Sequence, residues 1–352
     1  MRPLRLRDVT VANRVWMSPM AQYAAGVDGK PGDWHLVHYG SRAVGGVGLL
    51  VVEATAVGPG HRATSADLGL WNEEQAAAHR RLTSFLSGRG TVPAVELQAA
   101  GRKGSHQLPW VGAGQNGSVG PSDGGWETIG TTAAPFGDLR APRPASHAEL
   151  DEVVGAFAHA ARMADLAGYG AVEIQGAHGY LLHEFLSPLT NHRADEYGGS
   201  LENRTRLPLR VARAVREAFP DGKPVLFRIT ATDWIEGGIT IEESALFAKE
   251  LAAAGVDLLD VSSGLAVRDE EARPPVREAV HVDLANTLRE ASGLPIAPVG
   301  QIGELSSAYA LVADGRADAV MLGRALLRDP YLALRRRASD RAAWPVQYHR
   351  AL

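Results

Sequence analysis

The chain has 352 residues, no cysteine and a formal net charge of -4 at pH 7, with 45% of its residues hydrophobic and 22% charged. A chain of that length buries a large core without disulfides, and the missing cysteines exclude thiol nucleophiles, cysteine-held iron–sulfur clusters and cysteine-type zinc sites. The charge leaves no basic footprint for nucleic acid. The most apolar stretch, 47–57, is about half the length of a membrane span and carries Glu53, so a cytoplasmic protein is expected.

Taken in chain order, short apolar and β-branched runs predict strands at 14–20, 47–56, 92–98, 171–175, 225–230, 258–262, 296–300 and 319–323. Their near-continuous apolar character suits a parallel sheet covered on its outer face. Helical periodicity between them predicts helices at 73–86, 147–167, 201–218, 241–254, 282–291 and 305–313. Gly168, Gly170, Gly255, Gly293 and Gly315 stand at helix-to-strand joints, where a left-handed cap is the expected use. Eight strands in βα alternation admit a closed barrel or a doubly wound sheet. Strand count and chain length favour an α/β fold of the (β/α)8 TIM barrel type, one domain over 1–352 with a C-terminal tail at 341–352. Segment 104–146 breaks the rhythm. It is rich in Gly, Pro, Ser and Trp and follows the third strand, so in a barrel it lies on the catalytic face. It reads either as a capping, lid-like loop with Trp110 and Trp126 facing substrate or as a solvated insertion.

In such a barrel, chemistry sits at the C-terminal strand ends. The polar residues there are Ser18 to Tyr23 after strand one, Glu96 and Gln98 on strand three, Gln175 to Tyr180 after strand four, Arg228 on strand five and Ser262-Ser263 after strand six. Gly300, Gly323 and Arg324, after strands seven and eight, match the common phosphate position of barrels, with Arg324 as charged partner. No metal is expected, because the histidines lack ligand spacing such as His-Glu-x-x-His. Arg228 has a structural alternative, an ion pair with Asp233, and His35, His183 and His192 read as structural.

These segments resemble a known family. SPMAQY at 18–23, GRK at 101–103, AHGYLLHEFLSPLTNHRADEYGGSLENR at 177–204, LGRALLRDP at 322–330 and VQYHR at 346–350 are similar to the Old Yellow Enzymes, FMN-dependent ene-reductases, and above all to their thermophilic-like subclass. The resemblance implies an FMN-bound barrel using NADPH or NADH to reduce activated double bonds in enones, enals, maleimides and nitroalkenes. It places Ser18, Pro19, Met20, Ala21 and Ala54 along the flavin ring, Glu96 and Arg228 at its pyrimidine side, and Gly300, Gly323 and Arg324 at the phosphate. Gln175 and His178 would bind the substrate's activating oxygen. Tyr180 would protonate the carbon next to it after hydride arrives from flavin N5, and Tyr23 would contact substrate. Arg350 would reach a neighbouring subunit's site in a homodimer or homotetramer.

Three residues depart from the family pattern: Ala21 replaces a cysteine, Gln175 a histidine and Glu96 a glutamine. They leave room for a desaturase, isomerase or reductive cyclase on the same scaffold, or for a flavin-binding protein without turnover. Glu96 has three possible states: ionised against the flavin, protonated, or turned toward Arg102 or Lys103 with Gln98 in its place. The ionised state is the favoured expectation.

Overall fold

The computed structural model describes residues 2–111, 117–268, 273–335 and 340–352. Its frame is eight parallel strands, β1 (Val15–Met17), β2 (Leu49–Ala56), β3 (Val92–Gln98), β4 (Ala171–Gly176), β5 (Val225–Thr230), β6 (Leu258–Ser262), β7 (Ile296–Pro298) and β8 (Val320–Leu322). A helix follows each in turn: α1 (Asp33–Val44), α2 (Glu73–Ser87), α3 (His147–Leu166), α4 (Leu201–Ala218), α5 (Ile241–Ala253), α6 (Val282–Ser292), α7 (Leu305–Ala313) and the short α8 (Arg324–Arg328). The hydrogen-bonded order runs β7-β6-β5-β4-β3-β2-β1-β8. The amides of Asp318 and Ala319 donate to the Ile296 carbonyl at 3.1 and 3.2 Å and bring β8 back to β7. The fold is therefore a (β/α)8 barrel.

Two apolar layers hold it. Inside the ring, Trp16, Leu49, Val51, Ala94, Ala171, Leu226, Leu258, Ala297, Ala319 and Met321 form one buried cluster, mixing alanines with large side chains. Such alternation fills a narrow barrel without voids. An N-terminal hairpin, Leu4–Leu6 with Val9–Val11, adds Leu6 and Val11 to this cluster and closes the floor of the barrel. Outside the ring, a larger cluster joins the strands to the helices.

Local sequence explains most boundaries. Ser146 and Thr240 open α3 and α5 in capping boxes with Glu149 and Glu243. Gly293 ends α6 at φ 73, the left-handed cap expected of it. Gly170 does not take that conformation; there a Cβ would crowd Val92 Cγ1 at 3.0 Å, so closeness to β3 is what requires glycine. The first, seventh and eighth strands are shorter than the expected 14–20, 296–300 and 319–323, because the chain leaves the ladder early to form the loops of the catalytic face. Helix α1 was not expected. Gly40 interrupts its pattern, and Trp34 and Val37 are exposed. Gly40 is needed because a Cβ would meet the Phe85 ring at 3.0 Å.

Strand β2 carries a bulge. Val52 pairs with Val95, but the next partners are Thr55 and Leu97, so β2 holds one extra residue. Val52 and Glu53 consequently both face outward: Val52 joins the outer cluster, and Glu53 accepts from the Tyr39 hydroxyl on α1 at 2.9 Å. Alternation then returns Ala54 to the inner side. Among the described residues, no helix is long and apolar enough to cross a membrane.

Candidate functional site

The polar residues of the barrel interior lie above the apolar cluster. Arg228 on β5 pairs in register with Asp260 on β6 and with Gln175 on β4, and Glu96 on β3 pairs with Glu173 on β4. The Arg228 guanidinium reaches Asp260 Oδ2 at 3.3 Å and Glu96 Oε2 at 3.4 Å, and donates to Ser18 Oγ at 3.1 Å and the Pro19 carbonyl at 3.4 Å. Its carboxylate partners are thus Asp260 and Glu96, not Asp233, which belongs to a separate buried group with His183 and Ser187. Burial opposes the charge on Arg228, but Asp260, Glu96 and Glu173 outweigh it and hold the guanidinium charged.

Glu96 does not turn toward Arg102 or Lys103. Its Oε2 accepts from Gln175 Nε2 at 2.9 Å, and the Gln175 carbonyl oxygen accepts from the Ala177 amide at 2.9 Å. That second bond identifies which end of the amide is oxygen and leaves one Gln175 N–H unassigned. Burial pushes the Glu96 carboxyl well above the usual carboxylate range, with Arg228 pulling the other way. The ionised state favoured from sequence is therefore opposed by the environment.

Three expected phosphate residues, Gly300, Gly323 and Arg324, line one cavity of about 280 Å³ together with Gly303 and Arg328. Among the described residues, no carboxylate lines it. A Cβ at Gly303 would meet nothing within 4 Å, and one at Gly323 only Met20 Sδ at 3.4 Å, so glycine keeps this space open. Two guanidiniums, bare backbone and no acid are the donor set a phosphate monoester requires. The residues present fit FMN at this end, and Ser18 and Pro19, tied to Arg228, border the barrel interior beside it.

A second cavity, about 170 Å³, is lined by Tyr23, Lys103, His106, Phe136, Tyr180 and Arg268, among others. Segment 104–146 contributes His106, Phe136 and neighbours to its wall. Trp110 packs edge-on against Tyr23 at 5.7 Å between ring centroids, whereas Trp126 lies over the Arg62 guanidinium at 4.9 Å and is not part of this wall. Residues 112–116 of the segment lie outside the described residues. Burial raises the Tyr180 hydroxyl far above its ordinary range and Tyr23 to about 12, so both stay protonated at neutral pH.

Next to Tyr180, His178 sits at φ 59, its amide donating to Thr230 Oγ1 at 3.0 Å and its Nε2 2.7 Å from Ser262 Oγ. Burial, then Arg228 and Lys103, lower its pKa well below the ordinary value, so the imidazole is neutral. Arg350 is exposed in the turn Val346–Ala351 and lines neither cavity of its own chain.

Several participants escaped sequence reasoning. Asp260 and Glu173 sit in apolar strands, and only strand pairing brings them to Arg228. Lys103 was visible in GRK only as an alternative partner for Glu96. Its Nζ donates to the carbonyls of His178 and Leu265, the latter at 3.0 Å, and stands 3.9 Å from the Phe136 ring. Burial, then Arg102, lowers its pKa to about 7.

Comparison with known proteins shows what the whole chain is similar to. Residues 1–342 fit the family model described as the NADH:flavin oxidoreductase / NADH oxidase family. An NADPH dehydrogenase of Geobacillus sp. (strain WCH70) is 40% identical over 352 residues, covering 99% of this chain and 97% of its own. Morphinone reductase in complex with tetrahydroNAD superposes with a TM-score of 0.78 at 27% identity, over 96% of this chain and 90% of that one. A 2-naphthoyl-CoA reductase bound to 2-naphthoyl-CoA gives 0.85 at 27% identity over 96% of this chain, which spans 52% of its length.

Proposed function

Because the chain belongs to the NADH:flavin oxidoreductase / NADH oxidase family, the Old Yellow Enzyme family, and is an NAD(P)H-dependent FMN oxidoreductase, we propose that it reduces carbon–carbon double bonds activated by a carbonyl or nitro group. The observation that carries this reading is the pairing of two cavities at the C-terminal strand ends. One is arginine-lined, with no acid among the described residues that line it; the other holds Tyr180 and Tyr23; Met20 of the same segment as Tyr23 stands beside Gly323 of the first. Bound FMN supplies two-electron chemistry between a nicotinamide and an electron-poor alkene.

The chain's own residues do the rest. Gly300, Gly323 and Arg324 would hold the phosphate, and Ser18, Pro19, Met20, Ala21 and Ala54 would line the ring, with Arg228 and Glu96 toward its polar side. His178 Nε2 and Ser262 Oγ share a hydrogen bond that orients the neutral imidazole; with the hydroxyl as donor, the ring proton sits on Nδ1 for the substrate oxygen. The free N–H of Gln175 is the second donor to that oxygen, where charge develops. Tyr180 holds the proton that the neighbouring carbon receives. Segment 104–146 acts as the lid. The natural setting is cytoplasmic. The direct Glu96–Gln175 bond also favours a second reading, a flavoenzyme that runs desaturation or isomerisation on this scaffold, because it ties down half of the substrate-oxygen pair.

The purified protein should be yellow, with one non-covalent FMN per chain. It should be bleached anaerobically by NADPH and recoloured by an enone such as cyclohexenone. Protein that stays colourless after reconstitution with FMN refutes the reading. Bleaching without recolouring, together with an oxidised product from a saturated ketone, selects the second. Arg324→Ala should weaken FMN binding by about 1.5–3 kcal/mol through loss of a charge-assisted contact, measured by fluorescence titration of the apoprotein. We further propose a homodimer or homotetramer in which Arg350 completes the neighbouring site. Removing residues 346–352 should then raise KM for the enone and shift the mass seen by light scattering, whereas a fully active monomeric truncation contradicts it.

A further inference from the structure

Glu96, Glu173, Asp260 and Arg228 are each at least 94% buried, since their exposures are 2, 0, 0 and 6%. One guanidinium faces three carboxyls, so full ionisation would leave a net charge of -2 inside the barrel (1 - 3). Unpaired buried charge of that size is too costly to persist. Glu173 lies in register beside Glu96, and burial, then Asp260 and Glu96, push its carboxyl far above the usual carboxylate range, so Glu173 holds a proton throughout and presents it to Glu96. Glu96 and Asp260 then compete for the single cation, and their carboxyls lie above the usual carboxylate range, chiefly through burial. The other titratable groups around the cluster are His178 and His281, both neutral through burial, and Tyr180, which stays protonated. Ser18, Gln98, Gln175 and Thr230 are the polar but uncharged neighbours. Oε2 of Glu96 is engaged by both Gln175 and Arg228, which leaves Oε1 as the oxygen that can gain or lose a proton.

We propose that Glu96, sharing Arg228 with Asp260, is a redox-linked proton acceptor: at a pH where the oxidised enzyme has lost the Glu96 proton, each two-electron reduction draws one proton from solvent back onto its carboxylate. The inference rests on the FMN reading above. Reduction by a nicotinamide delivers two electrons and one proton to the cofactor and so adds one negative charge beside Arg228. Arg228 then neutralises that charge less completely if it must also serve two carboxylates. The conversion of COO⁻ to COOH at Oε1 removes the conflict, and reoxidation by substrate returns the proton. The second proton therefore resides on the protein, not on the cofactor.

The test is the pH dependence of the flavin midpoint potential, by anaerobic spectroelectrochemistry of the holoenzyme between pH 5.5 and 9. A tenfold change in proton activity moves a two-electron couple by about 30 mV for each proton taken up. The expected result is a segment with twice that slope, near 60 mV per pH unit, on the alkaline side. There the oxidised enzyme has lost the Glu96 proton and the reduced enzyme regains it; at lower pH the carboxyl is protonated in both states and the slope halves. In Glu96→Gln the slope should stay near 30 mV throughout, and Asp260→Asn should shift the steep segment along the pH axis. A wild-type slope near 30 mV everywhere, or a steep segment that persists in Glu96→Gln, overturns the proposal. Reduced-minus-oxidised infrared spectra of the wild type provide a second readout if a variant folds poorly. A gain of a protonated-carboxyl band is expected, and its absence is equally decisive against. Failure of the FMN reading itself would be distinct, showing as no flavin absorbance before any titration begins.

Discussion

Tyr180→Phe should slow reoxidation of the reduced enzyme by an enone about 10²–10⁴-fold while leaving reduction by NADPH nearly unchanged, as read in separate stopped-flow half-reactions. The hydroxyl is held protonated by burial, so it donates across the whole neutral range, and the loss should show no pH optimum. Phenylalanine keeps the ring that lines the cavity and the 5.4 Å approach of Lys103 Nζ, so substrate affinity should change little. If both half-reactions run at the wild-type rate in this variant, the proton comes from elsewhere.

Arg228→Leu should lose about 3–5 kcal/mol of stability, because it removes the guanidinium that Glu96 and Asp260 share from among three buried carboxyls. The damage should depend on pH. Without the guanidinium, Glu96 and Asp260 have folded-state pKa values raised above those of the unfolded chain, so the folded state binds more protons. Stability then falls as pH rises from the unfolded carboxylate value, about 4, through the raised folded values. Urea midpoints should accordingly lie further below wild type at pH 8 than at pH 5. Equal losses at the two pH values would mean that the carboxyls are not charged partners of Arg228. FMN retention should fall as well, since Ser18 and Pro19 lose the donor that secures them.

The barrel was readable because its strands are apolar runs of the right length; strands 92–98, 225–230 and 258–262 appear with the expected limits. What could not be read were features that exist only once strands pair. Nothing in LLDVS marks Asp260 as the partner of Arg228; parallel register across β5 and β6 does that. The Glu96–Gln175 bond likewise joins residues 79 positions apart, and sequence alone left three states of Glu96 open. Helix α1 was missed for another reason: its outer face carries Trp34 and Val37, so the periodicity that betrays a surface helix is blurred. The motif block at 177–204 was informative because its chemistry is local, with Tyr180 and His178 two residues apart.

The extra residue in β2 has a bearing on how this site can be inherited. Glu53 answers to three places at once: its Oε2 accepts from the Gln22 amide at 2.5 Å, its Oε1 from Tyr39, and His35 Nε2 stands 3.5 Å away. Deleting Glu53 would restore plain alternation, with Ala54 still facing inward, but would remove the carboxylate that ties these places together. Grafting β2 from a relative that lacks the extra residue would lose the same ties. The segments around Gln22, His35 to Tyr39 and Glu53 therefore form a linkage group, and chimaeras cut between them should leave the Tyr39 hydroxyl and the Gln22 amide without their shared acceptor.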